Sequence, residues 1–263
     1  MYLCELALIF EEPNPRAGSD APSSPRRPPA IGDSAFWKFR DRGTEAGHFC
    51  IGSDDTLLRF QLSRSYQARA QDIFAWVLST HQIQRAITST IEPFFFCTCL
   101  DAQRSITVHS YLFRDYLVIE PPAGPTLRKS EPAEFDEIVR FYRDSTERSG
   151  EWIHEFVASR LARGELFRMD VGSEIVATGE CIPSPKQRPY ADLGVIVARP
   201  RRGKGLGTSV LIQLKQHAYK SGWRPICSCS VDNGASRRAI EKAGFVTEHR
   251  IVVAEFSFDE FSE

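Results

Sequence analysis

Three glycines near residue 205 mark the stretch of this sequence with the clearest chemistry. An apolar run at 193–197 leads into a turn with glycines at 203, 205 and 207, and the spacing of 209–215 predicts a helix that begins at that turn. The first N–H groups of a helix lack partners within it, and the helix dipole adds about half a positive charge there. Glycine allows positive φ and a close approach of phosphate to the backbone. The turn therefore predicts an anion site with nearby cations at Arg201, Arg202 and Lys204, or else a tight turn that carries surface arginines.

The sequence of this turn does not match two common phosphate-binding loops. A Walker loop needs Ser or Thr directly after Gly-Lys, whereas Lys204 is followed by Gly205. The dinucleotide fingerprint needs a third glycine where this chain has Thr208 or Val210. The pattern that remains, Arg202-x-x-Gly205-x-Gly207, resembles the acyl-CoA pyrophosphate loop of the Gcn5-related N-acetyltransferases (GNAT).

A second block, at 231–245, strengthens this resemblance. It contains Asn233, the small residue Ser236, and the ending Lys242-x-Gly244-Phe245, as does the family segment that follows the fifth strand. Both blocks stand in the family's order and at its usual separation. The chain is thus identified as similar to the GNAT superfamily over its C-terminal half, from about residue 121 onward.

The resemblance implies a fold, a donor and a set of contacts. The fold is α+β, with a central, mostly antiparallel sheet in which the strand ending near Val197 and the strand at 226–231 splay apart to admit the pantetheine arm. The donor is acetyl-CoA, no metal is implied, and the acceptor is a primary amine of a small molecule or peptide. Residues implied to contact the donor are Val195, Ile196, Val197, Arg202, Gly203, Lys204, Gly205, Leu206, Gly207, Thr208, Asn233, Ser236 and Arg238; Arg237 and Lys242 are further candidates for a CoA phosphate.

The acceptor determines which other residues are needed. A lysine-like amine has a pKa of about 10.4, so a free nucleophile at pH 7 costs roughly 4 to 5 kcal/mol unless a group accepts the proton. Glu180 and Asp192 are each six residues from position 186, in the middle of a proline-rich loop. Antiparallel pairing around that loop would place them side by side on one face. They are the candidate catalytic bases, or alternatively two solvated acids beside a loop.

One position departs from the family pattern. The tyrosine that often protonates the CoA thiolate is replaced by Ile240. Tyr190, Tyr219 or water could supply that proton, or the thiolate could leave unprotonated. The departure keeps a second function open, that of a non-catalytic acyl-CoA-binding or sensor module.

The remaining sequence predicts the elements that position these residues. We expect an N-terminal α+β region of unknown function at 1–120, with a flexible proline-rich segment at 13–29, and a GNAT domain at 121–263. Periodicity predicts a helix over 66–88, a strand over 94–100 and two strands over 106–119. The N-terminal region has no second glycine loop, so a diverged repeat there, as in tandem acetyltransferases, would be non-catalytic.

Composition excludes several partners. The net charge of −1 and pI near 6.6 leave no electrostatic footprint for nucleic acid or an anionic membrane. The apolar N-terminus carries Glu5 and no basic segment, so it does not read as a signal peptide. Seven cysteines without an export signal predict reduced thiols and a cytoplasmic location. Two Cys-x-Cys pairs, at 97/99 and 227/229, are predicted to lie in strand cores rather than to bind a metal.

Overall fold

The computed structural model describes residues 34–146, 152–185 and 187–257, and it divides into two compact units. The first unit takes the chain up to Ser110 together with the residues from His249 onward, and the second unit is Tyr111–Glu248. The predicted flexible segment at 13–29 lies outside the described residues. The sequence predicts a boundary at residue 121 from the density of prolines there. The contacts of the described residues instead divide the chain after Ser110 and after Glu248, each of which lies within a strand.

The described part of the first unit starts with a meander and continues with two strand–helix repeats. The strands and helices are β1 (Ala35–Asp41), β2 (Thr44–Ile51), β3 (Thr56–Leu62), α1 (Ala70–Thr80), β4 (Arg85–Ser89), α2 (Pro93–Ala102) and β5 (Ser105–Asp115), with a 3₁₀ helix at Arg64–Arg69 between β3 and α1. Strands β1, β2 and β3 pair antiparallel. Strand β4 is parallel to β3, and their pairs are Thr56 with Arg85 and Leu57 with Ala86.

The second unit has the same order of elements after an additional strand and two additional helices. Its elements are β6 (Leu127–Lys129), α3 (Phe135–Ser145), α4 (Trp152–Arg163), β7 (Leu166–Val171), β8 (Glu174–Pro183), β9 (Tyr190–Val197), α5 (Leu206–Lys220), β10 (Arg224–Ser230), α6 (Gly234–Lys242) and β11 (Phe245–Glu255). Strands β6 to β9 pair antiparallel, and β10 is parallel to β9. This mixed, mostly antiparallel sheet has the predicted fold class.

Strands β5 and β11 each pass from one unit to the other. The second half of β11 belongs to the first unit, where it pairs antiparallel with β4, for example Val253 with Ile87. The end of β5 belongs to the second unit, where β5 is the neighbour of β10. The first unit thus contains the second half of β11, which follows α6 in sequence. The second unit contains the end of β5, which follows α2.

Aromatic residues dominate the core of the first unit and correct one prediction. The ring of Phe60 lies 5.0 Å from that of Phe74 and 6.1 Å from that of Phe94. The segment predicted as a strand at 94–100 is α2, because Pro93 occupies the first turn and Phe95 and Cys99, four residues apart, both face the core. Cys97, between them, is exposed, so it is not a strand-core residue.

The predicted helix over 66–88 is shorter than expected. Residues 64–69 form a 3₁₀ helix, α1 ends at Thr80, and 85–89 form β4. Strand β4 is short, and the β-branched residues Ile87 and Thr88 favour an extended conformation there. The prediction was too long because both α1 and β4 contain apolar residues, and it treated the two elements as one helix.

The sheet of the second unit is covered on two faces by separate apolar clusters. Helix α5 packs Val210, Leu211 and Leu214 against the face that includes Ala177 and Leu193. Helices α3 and α4 cover the other face, with Ile138, Tyr142, Ile153, Val157 and Leu166 as core residues. Side chains alternate between the two faces along β9, so Val195 and Val197 lie on the α5 side and Ile196 lies on the side of α3 and α4.

Candidate active site

Strands β9 and β10 are paired only where both begin. Their pairs are Tyr190 with Arg224, Ala191 with Pro225 and Asp192 with Ile226. Beyond Asp192 the two strands continue to Val197 and Ser230 without pairing to each other. The cleft between them, which we call the β9–β10 cleft, is the predicted splay.

The glycine turn lies at the wide end of the β9–β10 cleft. Gly203 and Gly205 have φ of +75° and +80°, and Gly205 is the N-cap residue of α5. No side chain caps this helix, and a Cβ added to either glycine would meet nothing within 4 Å. Among the described residues, no side-chain cap thus competes for the first N–H groups of α5, as an anion-binding turn requires.

Two side chains of the turn hold its backbone in place. The Arg202 guanidinium donates to the carbonyl of Ser145 at 2.6 Å and to that of Val197 at 3.3 Å. The Thr208 hydroxyl donates to the carbonyl of Ala239 at 3.3 Å. In this structure Arg202 and Thr208 thus contact protein carbonyls, while Lys204 is exposed.

The second sequence block forms the short helix α6 beside the cleft. Asn233 caps it by accepting from the N–H of Ser236 at 3.0 Å, and Gly244 follows it with φ of +93°. Arg237 pairs with Glu241 at 2.8 Å and stacks over Tyr111, so its guanidinium already has partners. Arg238 lies on the first turns of the same helix.

Glu180 and Asp192 share a face of the sheet but are not side by side. Glu180 pairs with Gly194, and Asp192 pairs with Ile182, so the two acids are offset by two residues. A diagonal pair of this kind is separated by about 7–8 Å between backbones. The prediction that they stand directly opposite was wrong because the loop between β8 and β9 is not centred on residue 186. Asp192 lies where β9 and β10 are still paired, and Glu180 lies opposite the splayed part of β9.

The surroundings of Glu180 include two residues that sequence reasoning missed. The Tyr142 hydroxyl, from α3, donates to Glu180 Oε1 at 2.7 Å. A Cβ added to Gly194 would lie 2.8 Å from Glu180 Oε2, so any larger residue here would require the carboxylate to move. A single glycine within an apolar strand pattern often marks such a close approach, and that signal was present in the sequence. Tyr142 had no comparable signal, since it belongs to the apolar stripe of its helix.

The tyrosines considered as proton donors lie elsewhere in the second unit. Tyr219 is in the last turn of α5, and its hydroxyl donates to Asp115 at 2.7 Å. Burial, followed by this hydrogen bond, raises the pKa of Tyr219 to about 12. Tyr190 and Tyr219 both line a cleft of about 280 Å³ with Arg114, Asp115, Tyr116, Arg224 and Pro225. Ile240, at the family's tyrosine position, is buried in the core beside α5.

Metal and membrane features are not found among the described residues. Within the described ranges no three His, Cys, Asp or Glu side chains could together hold a metal ion. None of the helices in those same ranges is long and apolar enough to span a bilayer. The cytoplasmic location inferred from cysteine usage stays a prediction.

Comparison with protein families gives matches in both parts of the chain. Two family models, each described as an Acetyltransferase (GNAT) domain, match residues 28–116 and residues 126–246. A search of curated protein sequences gave no match. The N-terminal region, whose function the sequence did not indicate, therefore matches a GNAT domain as well.

Solved structures support the same assignment. A GNAT-family acetyltransferase from Colwellia psychrerythraea is 27% identical with a TM-score of 0.81, over 87% of this chain and 88% of that one. A GCN5-related N-acetyltransferase from Sphaerobacter thermophilus (15% identical, TM-score 0.61) covers 84% of this chain and 80% of its own. A tandem GNAT protein of the clavulanic acid biosynthesis pathway (15% identical, TM-score 0.56) covers 84% and 82%. The last two show the fold alone.

The fold, the β9–β10 cleft and the glycine turn define an acyltransferase-type domain. The chain belongs to the GNAT superfamily, with one GNAT domain match in each half. These matches support acyltransferase activity in general.

Proposed function

We propose that the second unit transfers an acetyl group from acetyl-CoA to a primary amine of a small molecule or peptide. The observation that carries this proposal is the cleft that opens between β9 and β10 and ends at an uncapped helix with two glycines of positive φ. A thioester arm can enter such a cleft as an added strand along β9, and its pyrophosphate can accept from the backbone N–H groups of the turn.

The residues present fit this donor. The turn has open space at Gly203 and Gly205, and the strand beside it leaves Val195 and Val197 only partly buried. Val195, Ile196 and Val197 would offer backbone groups to the arm, and the backbone from Arg202 to Thr208 would bind the pyrophosphate. Three further residues lie in α6 or at its N-cap, directly after β10: Asn233, Ser236 and Arg238. We propose that they contact the donor.

Proton removal is assigned to a carboxylate on the face of α3 and α4. Glu180 lies opposite the splayed part of β9 and is our first candidate; Asp192, on the same face, is the second. The carboxylate takes a proton from the ammonium group, the nitrogen lone pair forms the C–N bond, and the C–S bond of the thioester breaks. The sulfur takes the second amine proton, through water where no side chain is in reach. Acetyl-CoA supplies the activated carbonyl.

The test is release of free thiol from acetyl-CoA in the presence of a panel of amines, amino acids and aminoglycosides. Amine-dependent thiol release, with a matching gain of 42 mass units on the amine (about the mass of an acetyl group less a proton), supports the transferase. Acetyl-CoA binding without thiol release on any acceptor would instead support the non-catalytic binding module, the function favoured by Ile240 at the tyrosine position. Absence of acetyl-CoA binding would contradict both.

A further inference from the structure

The Glu180 carboxylate is fixed by contacts from two different elements. Oε1 accepts the hydrogen bond of Tyr142, which reaches it from α3, and Oε2 lies over Gly194 of β9. Gly194 is two residues beyond Asp192, the last residue of β9 that pairs with β10. The carboxylate therefore stands over the backbone at the point where the β9–β10 cleft opens.

Tyr142 is suited to hold one orientation of this group. Its side chain is 1% exposed and its ring lies 5.9 Å from that of Phe156, so its rotamer is fixed by packing. Burial, and then the charge of Glu180, raise the pKa of Tyr142 well above its usual value, so the hydroxyl remains a neutral donor. Arg160 of α4 also acts on Tyr142 electrostatically, and Asp192 is the other acid on this face of β8 and β9.

We propose that Tyr142 and Gly194 are positioning residues that hold the Glu180 carboxylate over β9, where it accepts the proton of the acceptor amine. This inference rests on the proposed function of the second unit. Tyr142 supplies a donor that fixes one oxygen, and Gly194 supplies the space that the other oxygen occupies. Neither residue needs to touch the substrate, since both act through Glu180.

The variant Tyr142→Phe keeps the ring and removes only the hydroxyl. We expect turnover to fall about 10- to 100-fold, the usual consequence of a catalytic group that loses its alignment, with acetyl-CoA affinity unchanged. The acid limb of kcat/KM should move to higher pH, because the charged form of Glu180 loses a donor. Tyr116→Phe is the matched control, since Tyr116 also donates to a glutamate, Glu248, within the second unit, and it should change neither quantity.

A double-mutant cycle separates positioning from a structural role. If Tyr142 acts through Glu180, then Tyr142→Phe should add little to the loss already caused by Glu180→Gln. A full, additive loss in the Glu180→Gln background would overturn the inference. Gly194→Ala should reproduce the loss of turnover, because its Cβ would displace Oε2; normal turnover in folded Gly194→Ala would also contradict it.

A readout independent of activity keeps this inference distinct from the proposed function. In protein labelled with ¹³C-glutamate, the carboxyl signal absent from Glu180→Gln identifies Glu180. Its titration should move to higher pH in Tyr142→Phe and stay in place in Tyr116→Phe. An unchanged titration in Tyr142→Phe would show that the hydrogen bond does not act on Glu180, whether or not the wild-type protein transfers acetyl groups.

Discussion

The two units repeat one arrangement and differ at the place where a donor would bind. In each, a meander ends in a strand, and a helix, a parallel strand, a second helix and an 11-residue strand follow. Strands β3 and β4 pair only at their first two residues, as β9 and β10 pair only at their first three. The same opening between parallel strands is thus built into both units.

The residues at the equivalent strand positions of the two openings differ in size and in burial. Phe60 stands two residues before the end of β3, as Val195 stands two residues before the end of β9. Phe60 is 2% exposed and packs against Phe74, Phe94 and Phe95, whereas Val195 is only partly buried. At equivalent strand positions the first unit thus has a buried phenylalanine, and the second unit has a partly buried valine.

The turns that follow β3 and β9 also differ between the two units. The second unit has its glycines of positive φ before α5, while residues 63–69 of the first unit contain no glycine, and Arg64–Arg69 form a 3₁₀ helix before α1. If the second unit binds the donor as proposed, its glycine turn and the partly buried valines at the end of β9 are the features that distinguish it from the first unit.

The largest expected effect is on turnover in the second unit. Glu180→Gln should retain acetyl-CoA affinity and lose ~10² to 10⁴ in turnover, the usual worth of a positioned proton acceptor. The activity that remains should increase with pH, because deprotonation of the amine in solution replaces the missing base. Thiol-release assays at pH values from about 6 to about 10, a range that approaches the pKa of the amine, provide the measurement.

Asp192→Asn is the matched comparison for that prediction. Asp192 lies where β9 and β10 are still paired, so we expect a smaller loss than for Glu180→Gln. A larger loss in Asp192→Asn would exchange the two assignments. A pH profile parallel to that of the wild type in both variants would eliminate both acids as the base.

The next largest effect is on donor affinity at the glycine turn. Gly205→Val should weaken acetyl-CoA binding at least about 100-fold, because a β-branched residue is strained at positive φ and its side chain would occupy the anion site. Gly172→Val is the control: Gly172 has φ of +64° in the turn between β7 and β8, and a Cβ there would meet nothing within 4 Å. Equal affinity in both variants, measured by calorimetry on folded protein, would reject the site.

A smaller effect is expected when the second unit is made to resemble the first. Val195→Phe places at the β9–β10 cleft the residue type that the first unit has at the equivalent position, Phe60, and it should reduce acetyl-CoA affinity about tenfold, or roughly 1.4 kcal/mol. Val246→Phe, at a 42% exposed position of β11, is the matched control and should leave affinity unchanged. Loss of affinity in Val246→Phe but not in Val195→Phe would contradict the comparison.

The smallest effect on binding is expected for the first unit. Phe60→Ala should lower the free energy of unfolding by about 3 to 5 kcal/mol, the usual cost of truncating a buried phenylalanine. Acetyl-CoA affinity of the protein that remains folded should not change. A specific loss of affinity in Phe60→Ala, with stability little altered, would place a donor contact in the first unit.

The sequence was most informative where one residue type has one physical use. The glycine turn, the cap at Asn233 and the positive φ of Gly244 each follow from local backbone requirements, and all are present in the structure. Helix α2 was mistaken for a strand because a short apolar run fits either period until Pro93 is considered. The offset between Glu180 and Asp192 depends on the conformation of the loop that joins their strands, which residue counting does not reveal.

Long-range features were the least predictable. That the second half of β11 pairs with β4, more than 150 residues earlier in the chain, depends on tertiary packing and has no local signal. The same holds for Tyr142, whose hydroxyl meets a carboxylate 38 residues away. Such contacts join segments whose separate patterns are ordinary.

Donor binding is tested most directly by the number of acetyl-CoA molecules bound per chain, measured by calorimetry on the full-length protein. A donor site in the second unit alone predicts a single site, abolished by Gly205→Val and retained in Phe60→Ala. Two sites per chain, or one site that survives Gly205→Val and disappears in Phe60→Ala, would contradict the assignment of donor binding to the second unit.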